Sequence, residues 1–430
     1  MTAQPAELKV RIYIVENDAA VRRYFDAPSG VAGFYRGAVD GAIAVTPMRD
    51  VGSGYNRMTT TNILFHEYAH HFMLQYFPTA YPAWYIEGFA EYFATVEFLE
   101  DGSVRLGSPP EFRASSLRYG TWIRADRMLS NESENDHMTY AEGWLLVHLA
   151  ANNAEVGAAL SDYLNRLVRG ETGREAYENS FGQSRRTVNR MMQRYLSRNR
   201  FSVSSYLLDP LPEDAVSITP MSDEEAAIAL LAPRQPGHLE AAVRRAVEYY
   251  PNNPQAHVEL ARDIFHEGDF DGALARVEHA LAIDPDNIDA NILKGDILIV
   301  MARATENPED PRWEESRTFI ARANNAAPNN PSALASYFAS FPDRNERPAI
   351  AVAALERAFN LVPQNDDIRF LLATEYVEQG RLDDAVRIAT PLAQNPHGTG
   401  YTEPAQAILA QARAGDAETI PEAEASESGS

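Results

Sequence analysis

"LFHEYAHHFML", residues 64–74, sets two histidines four positions apart, with a glutamate directly after the first. Residues i and i+4 of a helix share one face, so His66 and His70 can turn their imidazoles to a single ion. Glu67 lies about 100° round the helix from His66, close enough to touch a water held by that ion without being forced to ligate it. The competing reading is an amphipathic helix whose histidines are satisfied in a core. Chance alone places H-E-x-x-H in a chain of this length with a probability on the order of a few per cent, so the surrounding sequence has to decide.

Ahead of the stretch, "TTTN" (59–62) offers helix-capping residues, and Pro78 closes the helix. A second helix starts near Pro82 and runs through "AWYIEGFAEYFATVEFL" (83–99). A catalytic zinc takes three protein ligands and keeps one position open. The metzincin extension needs Gly at 73 and His at 76, where this chain has Met73 and Tyr76. A glutamate from the next helix is the other arrangement, and Glu87 follows His70 with 16 residues between (87 − 70 − 1). A solvated acidic face is the alternative for Glu87 and Glu91. The flanking Trp84, Tyr85, Ile86, Phe89 and Phe93 argue that the stripe is buried.

H-E-x-x-H followed by W-x-x-E-G-x-A-E-Y-F resembles the gluzincin, or thermolysin-like, zinc metallopeptidases. The resemblance spans roughly residues 8–200. It implies Zn²⁺ held by His66, His70 and Glu87, with Glu67 as general base. Glu91 matches the carboxylate that orients a ligand imidazole, here His66, and Gly88 is expected to let the second helix pack close against the first. "YAEGWLLVHL" (140–149) resembles a Y-x-x-x-W helix of bacterial gluzincin-like proteins that carry C-terminal helical repeats. The family sets a His or Tyr opposite the metal to stabilise the oxyanion. Tyr140 and His137 are the candidates, Tyr140 first, its alternative being a core tyrosine capping a helix. His71, His148 and the repeat histidines are expected to have no metal role.

Before this core, "LKVRIYIV" (8–15) and "GAIAVTP" (41–47) read as strands. "AAVRRYFDAPSG" between them reads as a short helix, and "RDVGSGYNR" (49–57) as a flexible loop. The strand at 41–47 is expected to offer an edge to an extended peptide, with the glycine loop at 52–54 as a lid. Residues 111–200 read as mostly helical. "LLDPLPEDAVSITPMSDEE" (207–225) has the Pro and acidic content of a linker.

Beyond it the chain repeats itself. "YPNNPQAHVELA" (250–261) returns as "DPDNIDANILKG" (284–295), with Pro251 and Pro285 34 apart, then as "APNNPSALASYF" (327–338) and "VPQNDDIRFLLA" (362–373). Gly268 and Gly380 each fall 17 after a repeat proline. This helix–turn–helix period resembles tetratricopeptide repeats. The third copy is read as carrying an insertion, "ATENPEDPRWEE" (304–315). The expected fold is α+β: a zincin-like domain of small sheet and helical subdomain over 1–206, a linker over 207–225, an all-α repeat solenoid over 226–414, and a disordered acidic tail over 415–430.

The full chain has 430 residues, enough for two or three domains, and no cysteine, so any metal must sit on His and carboxylates. A net charge of −23 argues against a nucleic-acid partner. No apolar run approaches the ~18 residues of a membrane span. The start "MTAQPAELKVR" shows no signal peptide, leaving bacterial periplasm or cytoplasm open. The expected function is hydrolysis of peptide bonds, with a peptide or protein substrate and a protein partner on the concave face of the repeats. The competing classes are a repeat-based adaptor with an inactive or merely zinc-binding domain, and a zinc hydrolase of non-peptide amides or esters.

Overall fold

In the computed structural model the described residues are 7–414 apart from 26, 29, 131–136, 183–184, 211, 213–214, 232, 234–239, 343–346 and 396–399. The acidic tail expected over 415–430 lies outside them. The chain opens with β1 (Arg11–Val15), α1 (Asp18–Phe25), β2 (Phe34–Ala38) and β3 (Gly41–Pro47). The sheet order is β1-β3-β2, with β1 parallel and β2 antiparallel to β3. β3 is therefore the central strand, buried at every residue, and cannot offer an edge to a peptide. Both its ladders are taken, and the sheet's two edges belong to β1 and β2. On β1, Tyr13 and Val15 pack with Phe25 of α1, while Ile12 and Ile14 turn to solvent.

Two helices follow, α2 (Thr60–Tyr76) and α3 (Ala83–Ala94). Thr59 caps α2: its hydroxyl accepts from the Asn62 N–H, and the Asn62 side chain accepts from the Thr59 N–H. Asn62 Nδ2 then donates to the Ala94 carbonyl, tying the start of α2 to the end of α3. A second small sheet is built from β4 (Glu97–Phe98) and β5 (Ser103–Leu106), which pair with each other ahead of α4 (Ala114–Tyr119), α5 (Ala125–Leu129), α6 (His137–Asn152), α7 (Ala154–Val168), α8 (Gly173–Phe181), α9 (Arg185–Ser197) and β6 (Ser204–Leu207), which returns to pair with β5. The core of this subdomain is aromatic, with Trp84, Trp144 and Tyr163 fully buried. Gly88 was expected to bring α3 against α2. It faces α6 instead, because Gly143 is the residue it meets.

Between Leu208 and Ser222 the described residues form no helix or strand. Then come α10 (Asp223–Ala229), α11 (Glu240–Tyr249), α12 (Pro254–His266), α13 (Phe270–Ile283), α14 (Ile288–Arg303), α15 (Arg312–Ala326), α16 (Pro331–Ala339), α17 (Ala349–Leu361), α18 (Asp366–Glu378), α19 (Leu382–Ala393) and α20 (Thr402–Ala414). The repeat motif explains itself chemically: Asn253, Asn287, Asn330 and Asn365 are the N-caps of α12, α14, α16 and α18, each accepting a backbone N–H at the helix start. Gly268 and Gly380 hold positive φ of 85° and 71° in the turns inside the first and last repeats, which glycine adopts without strain. The insertion at 304–315 separates α14 from α15, so it sits inside the second copy. There Asp310 accepts from Arg312 and Thr305.

The repeats close back on the N-terminal sheet. Asn365 Nδ2 donates to the Gly37 carbonyl at 3.3 Å, Gln75 Nε2 to the Leu361 carbonyl at 3.3 Å, and Arg369 to the Pro78 carbonyl at 3.4 Å. Arg36 donates to the Pro233 carbonyl, and Leu8 and Val39 pack on the core of the last repeats. Asp40 and Tyr13 lie close enough to α12 to perturb Glu259 electrostatically, or be perturbed by it. This face of the repeats holds part of its own chain. No helix among the described residues is long and apolar enough to cross a membrane.

Candidate metal centre

His66 and His70 stand one turn apart on α2, with ring centroids 4.8 Å apart, and Glu87 on α3 reaches over both. Glu87 Oε2 lies 3.3 Å from His66 Nε2 and 3.7 Å from His70 Nε2. One ligand atom from each of the three residues lies within 4.8 Å of the others. Two imidazoles and one carboxylate with no thiolate are the donor set of a catalytic zinc rather than a structural one. The residues fit such an ion.

The surroundings are acidic. Glu67, Glu87 and Glu91 are all buried. Burial opposes a charge on His66, but the hydrogen bond to Glu87 and the charges of Glu67, Glu91 and Glu87 outweigh it, and its pKa rises to about 9. Burial pushes the Glu67 carboxyl up to about 7; the His66 charge opposes this, while Glu87 and Glu91 add to it. A divalent cation at the donor atoms would pull it back down. Gly33, just before β2, sits where a Cβ would lie 3.4 Å from Glu67 Oε1 and 2.6 Å from both Ile63 and the Val45 carbonyl. Only glycine lets that backbone pass so near the glutamate.

Glu91 Oε1 is 3.7 Å from His66 Nδ1, on the side of the ring away from the Nε2 that meets Glu87. The same oxygen accepts from Arg113 Nε and Nη2 at 3.0 and 2.6 Å. Arg113 also lies over the Tyr140 ring, 4.9 Å from its centroid. Nothing in the sequence singles it out, since it stands in the short turn Glu111–Arg113 far from the motif.

Of the two oxyanion candidates, Tyr140 stacks on His66 with ring centroids 5.9 Å apart and 18° between planes. Burial, reinforced by Glu87, raises its pKa, so it stays a hydroxyl donor. His137, one turn earlier on α6, is exposed and lines the smaller of two cavities. His71 turns to Tyr35 and Tyr68, and both ring nitrogens of His148 are engaged, by Tyr195 and the Gly107 carbonyl.

The two cavities meet at the centre. The smaller, 310 Å³, includes Gly33, Asn62, Arg113 and His137; the larger, 580 Å³, includes β2, His70, Glu87 and the start of α18. His66, Glu67 and Tyr140 line both. Residues 52–54, expected as a lid, line neither. The Val51–Met58 bridge and the Arg57–Asp50 ion pair fix the base of that loop, and the rim is made by Gly30–Gly33 instead.

No protein-family model matches the chain, and no curated protein does either. Among solved structures it is similar to a thermophilic TPR protein of Thermus thermophilus, with 20% identity and a TM-score of 0.36, over 43% of this chain and 93% of that one. It is also similar to YrrB, described as a TPR protein with an unusual peptide-binding site, with 20% identity and a TM-score of 0.31, over 40% and 82%. The capped helix pairs and the 34-residue spacing of Pro251 and Pro285 define a TPR-like helical repeat region in this chain independently of these likenesses.

Proposed function

We propose that this chain is a zinc-dependent peptidase whose cleft is completed by its repeats. The observation that carries the reading is the convergence of the His66, His70 and Glu87 donor atoms within 4.8 Å, where two cavities join beside a buried Glu67. When bound, zinc supplies Lewis acidity, polarising a carbonyl and lowering the pKa of a water toward neutrality. The chain's own residues do the rest. Glu67 takes the proton of the attacking water and passes it to the leaving amine nitrogen. Tyr140 donates its hydroxyl to the oxyanion as the carbonyl becomes tetrahedral. Glu91, held by Arg113, keeps the His66 ring oriented. An extended substrate pairs with the free edge of β2, which lines the larger cavity.

The second reading is a repeat-based binding protein whose zinc-binding domain does not hydrolyse anything. The observation that favours it is the repeat region itself, whose capped helix pairs build a binding scaffold whether or not the centre is active. Metal analysis and one substitution separate the two. The peptidase reading expects about one zinc per chain, peptide cleavage by the wild type, and a Glu67→Gln variant that keeps zinc and loses cleavage. Zinc retained after His66→Ala/His70→Ala removes the site, and a zinc-loaded wild type that cleaves no peptide in a diverse library leaves the binding-protein reading.

A further inference from the structure

The larger cavity has two unlike walls. One is the candidate metal centre with β2. The other is the turn into α18, with Gln364, Asn365, Asp366 and Asp367. The charges on this second wall are unequally committed. Arg369 is buried and donates to the Pro363, Ile388 and Pro78 carbonyls, so its guanidinium serves the fold. On the opposite wall, Arg36 of β2 donates to the Pro233 carbonyl. Among the described residues Asp367 accepts only from the Tyr401 hydroxyl, at 2.6 Å, and Asp366 accepts no hydrogen bond. With His66, His70 and Glu87 given to the metal, the charge left facing the cavity from the repeats is negative.

A second observation points to a ligand there. Both polar atoms of the Gln364 side chain are buried without a hydrogen-bond partner among the described residues, and so is the hydroxyl of Tyr35, which lines the same cavity. Buried polar atoms of this kind cost stability unless something satisfies them. An amide is the natural complement of a peptide backbone, offering both a donor and an acceptor. Burial raises the Asp366 carboxyl to about 6, against the pull of Arg369, so it is ionised at neutral pH and a cation beside it relieves the desolvation.

We propose that the repeats act in cis as the recognition wall of the cleft: Gln364 holds the backbone of a peptide, and Asp366 with Asp367 selects a cationic group on it. The cation is a lysine or arginine side chain or a free α-ammonium. The proposal rests on the peptidase reading for its substrate class. The repeats' own chemistry sets the preference.

The test is peptide binding to the full-length, zinc-loaded Glu67→Gln protein, followed by fluorescence anisotropy, which needs no turnover. Short labelled peptides carry lysine, glutamate or only neutral residues, each with and without N-acetylation. Lysine peptides are expected to bind about tenfold tighter than glutamate peptides. Adding Asp366→Asn/Asp367→Asn should bring the ratio close to one and leave neutral peptides unchanged. Asp367→Asn alone, at an exposed position, should give part of that loss and guards against misfolding of the double variant. A preference that vanishes on acetylation assigns the cation to the α-ammonium; one that persists assigns it to the side chain. Equal binding of lysine and glutamate peptides, a preference that survives the double substitution, or no peptide binding at all overturns the proposal. Failure of the wild type to cleave would sink the peptidase reading alone, because the binding ratio does not depend on cleavage.

Discussion

Gly88 and Gly143 cross so closely that a Cβ built on Gly88 would fall 2.3 Å from the Gly143 carbonyl carbon. The contact places α3 and α6 backbone to backbone. It also sets two site residues in register, because Glu87 precedes Gly88 and Tyr140 lies three residues before Gly143. The obstructing atoms are main chain and cannot swing aside. Gly143→Ala is therefore expected to cost about 1–3 kcal/mol in thermal or urea unfolding and to weaken zinc binding by separating Glu87 from its histidines. Unchanged melting together with unchanged zinc affinity would mean the crossing does not position the site.

Arg113 makes a different prediction. Its partner Glu91 is almost fully buried, and removing one member of a buried pair costs about 3–5 kcal/mol. Arg113→Met should destabilise the protein on that scale and lower zinc affinity by about 10–100-fold. Arg113→Met/Glu91→Gln should recover much of the stability, since no buried charge is left alone, while zinc binding stays weak because His66 has lost its orienting carboxylate. If the double variant binds zinc like the wild type, Glu91 has only a structural role.

Tyr140 and His137 share the first turn of α6 yet diverge in consequence. Tyr140→Phe keeps the ring stacked on His66 and removes only the hydroxyl, so kcat for peptide hydrolysis should fall about 10²–10³-fold with zinc content and KM little changed. His137→Ala, an exposed position, should change kcat far less. The reverse ranking in steady-state kinetics would exchange their roles.

These contacts mark where the sequence ceases to be legible. The convergence of His66, His70 and Glu87 is readable because α2 and α3 are adjacent in sequence and helical spacing fixes which side chains share a face. The repeats are readable because each copy carries its own capping asparagine. Strand order is not local information: nothing in "GAIAVTP" says that β2 would pair on its far side and leave it central. Gly88 reads as close packing, but its partner Gly143 is 55 positions away (143 − 88), and a small residue does not name the helix it meets. Arg113 and the α18 wall reach the site only through tertiary packing, so no spacing rule finds them.

Asp296 on α14 supplies a pH test of the repeats. Desolvation raises its carboxyl to about 6, against Ser336 and Arg262, from an ordinary 3.8. At this carboxyl the native state binds more protons than the unfolded chain between those values, so the stability that Asp296 contributes falls as pH rises from about 4 to about 6. Asp296→Asn removes that dependence. Relative to wild type it should gain up to about 2 kcal/mol on going from pH 4 to pH 8, read from urea unfolding at each pH. A difference that stays flat across this window would place the Asp296 carboxyl at its ordinary value.

Gly37 tests whether the repeats and the sheet move as one. A Cβ there would lie 2.4 Å from Gln364 Cγ and 2.8 Å from the Gln364 carbonyl oxygen. The side chain can turn away, but the carbonyl belongs to the turn that leads into α18. Gly37→Ala should therefore push that turn off β2 and lengthen the Asn365–Gly37 hydrogen bond. The core of the last repeats, built from Leu355, Leu372 and Ile388, has no part in the clash and should stay intact. The expected signature is faster amide exchange at the start of α18 and quicker proteolysis between residues 208 and 222, with unchanged exchange in α19. Because the displaced turn is also the far wall of the larger cavity, KM for peptides should rise while zinc affinity holds. Loss of zinc with the same substitution would instead mean that the repeats brace α2 and α3 directly, through Gln75 and the Pro78 carbonyl, and that the docking of the two halves is a condition for the metal site.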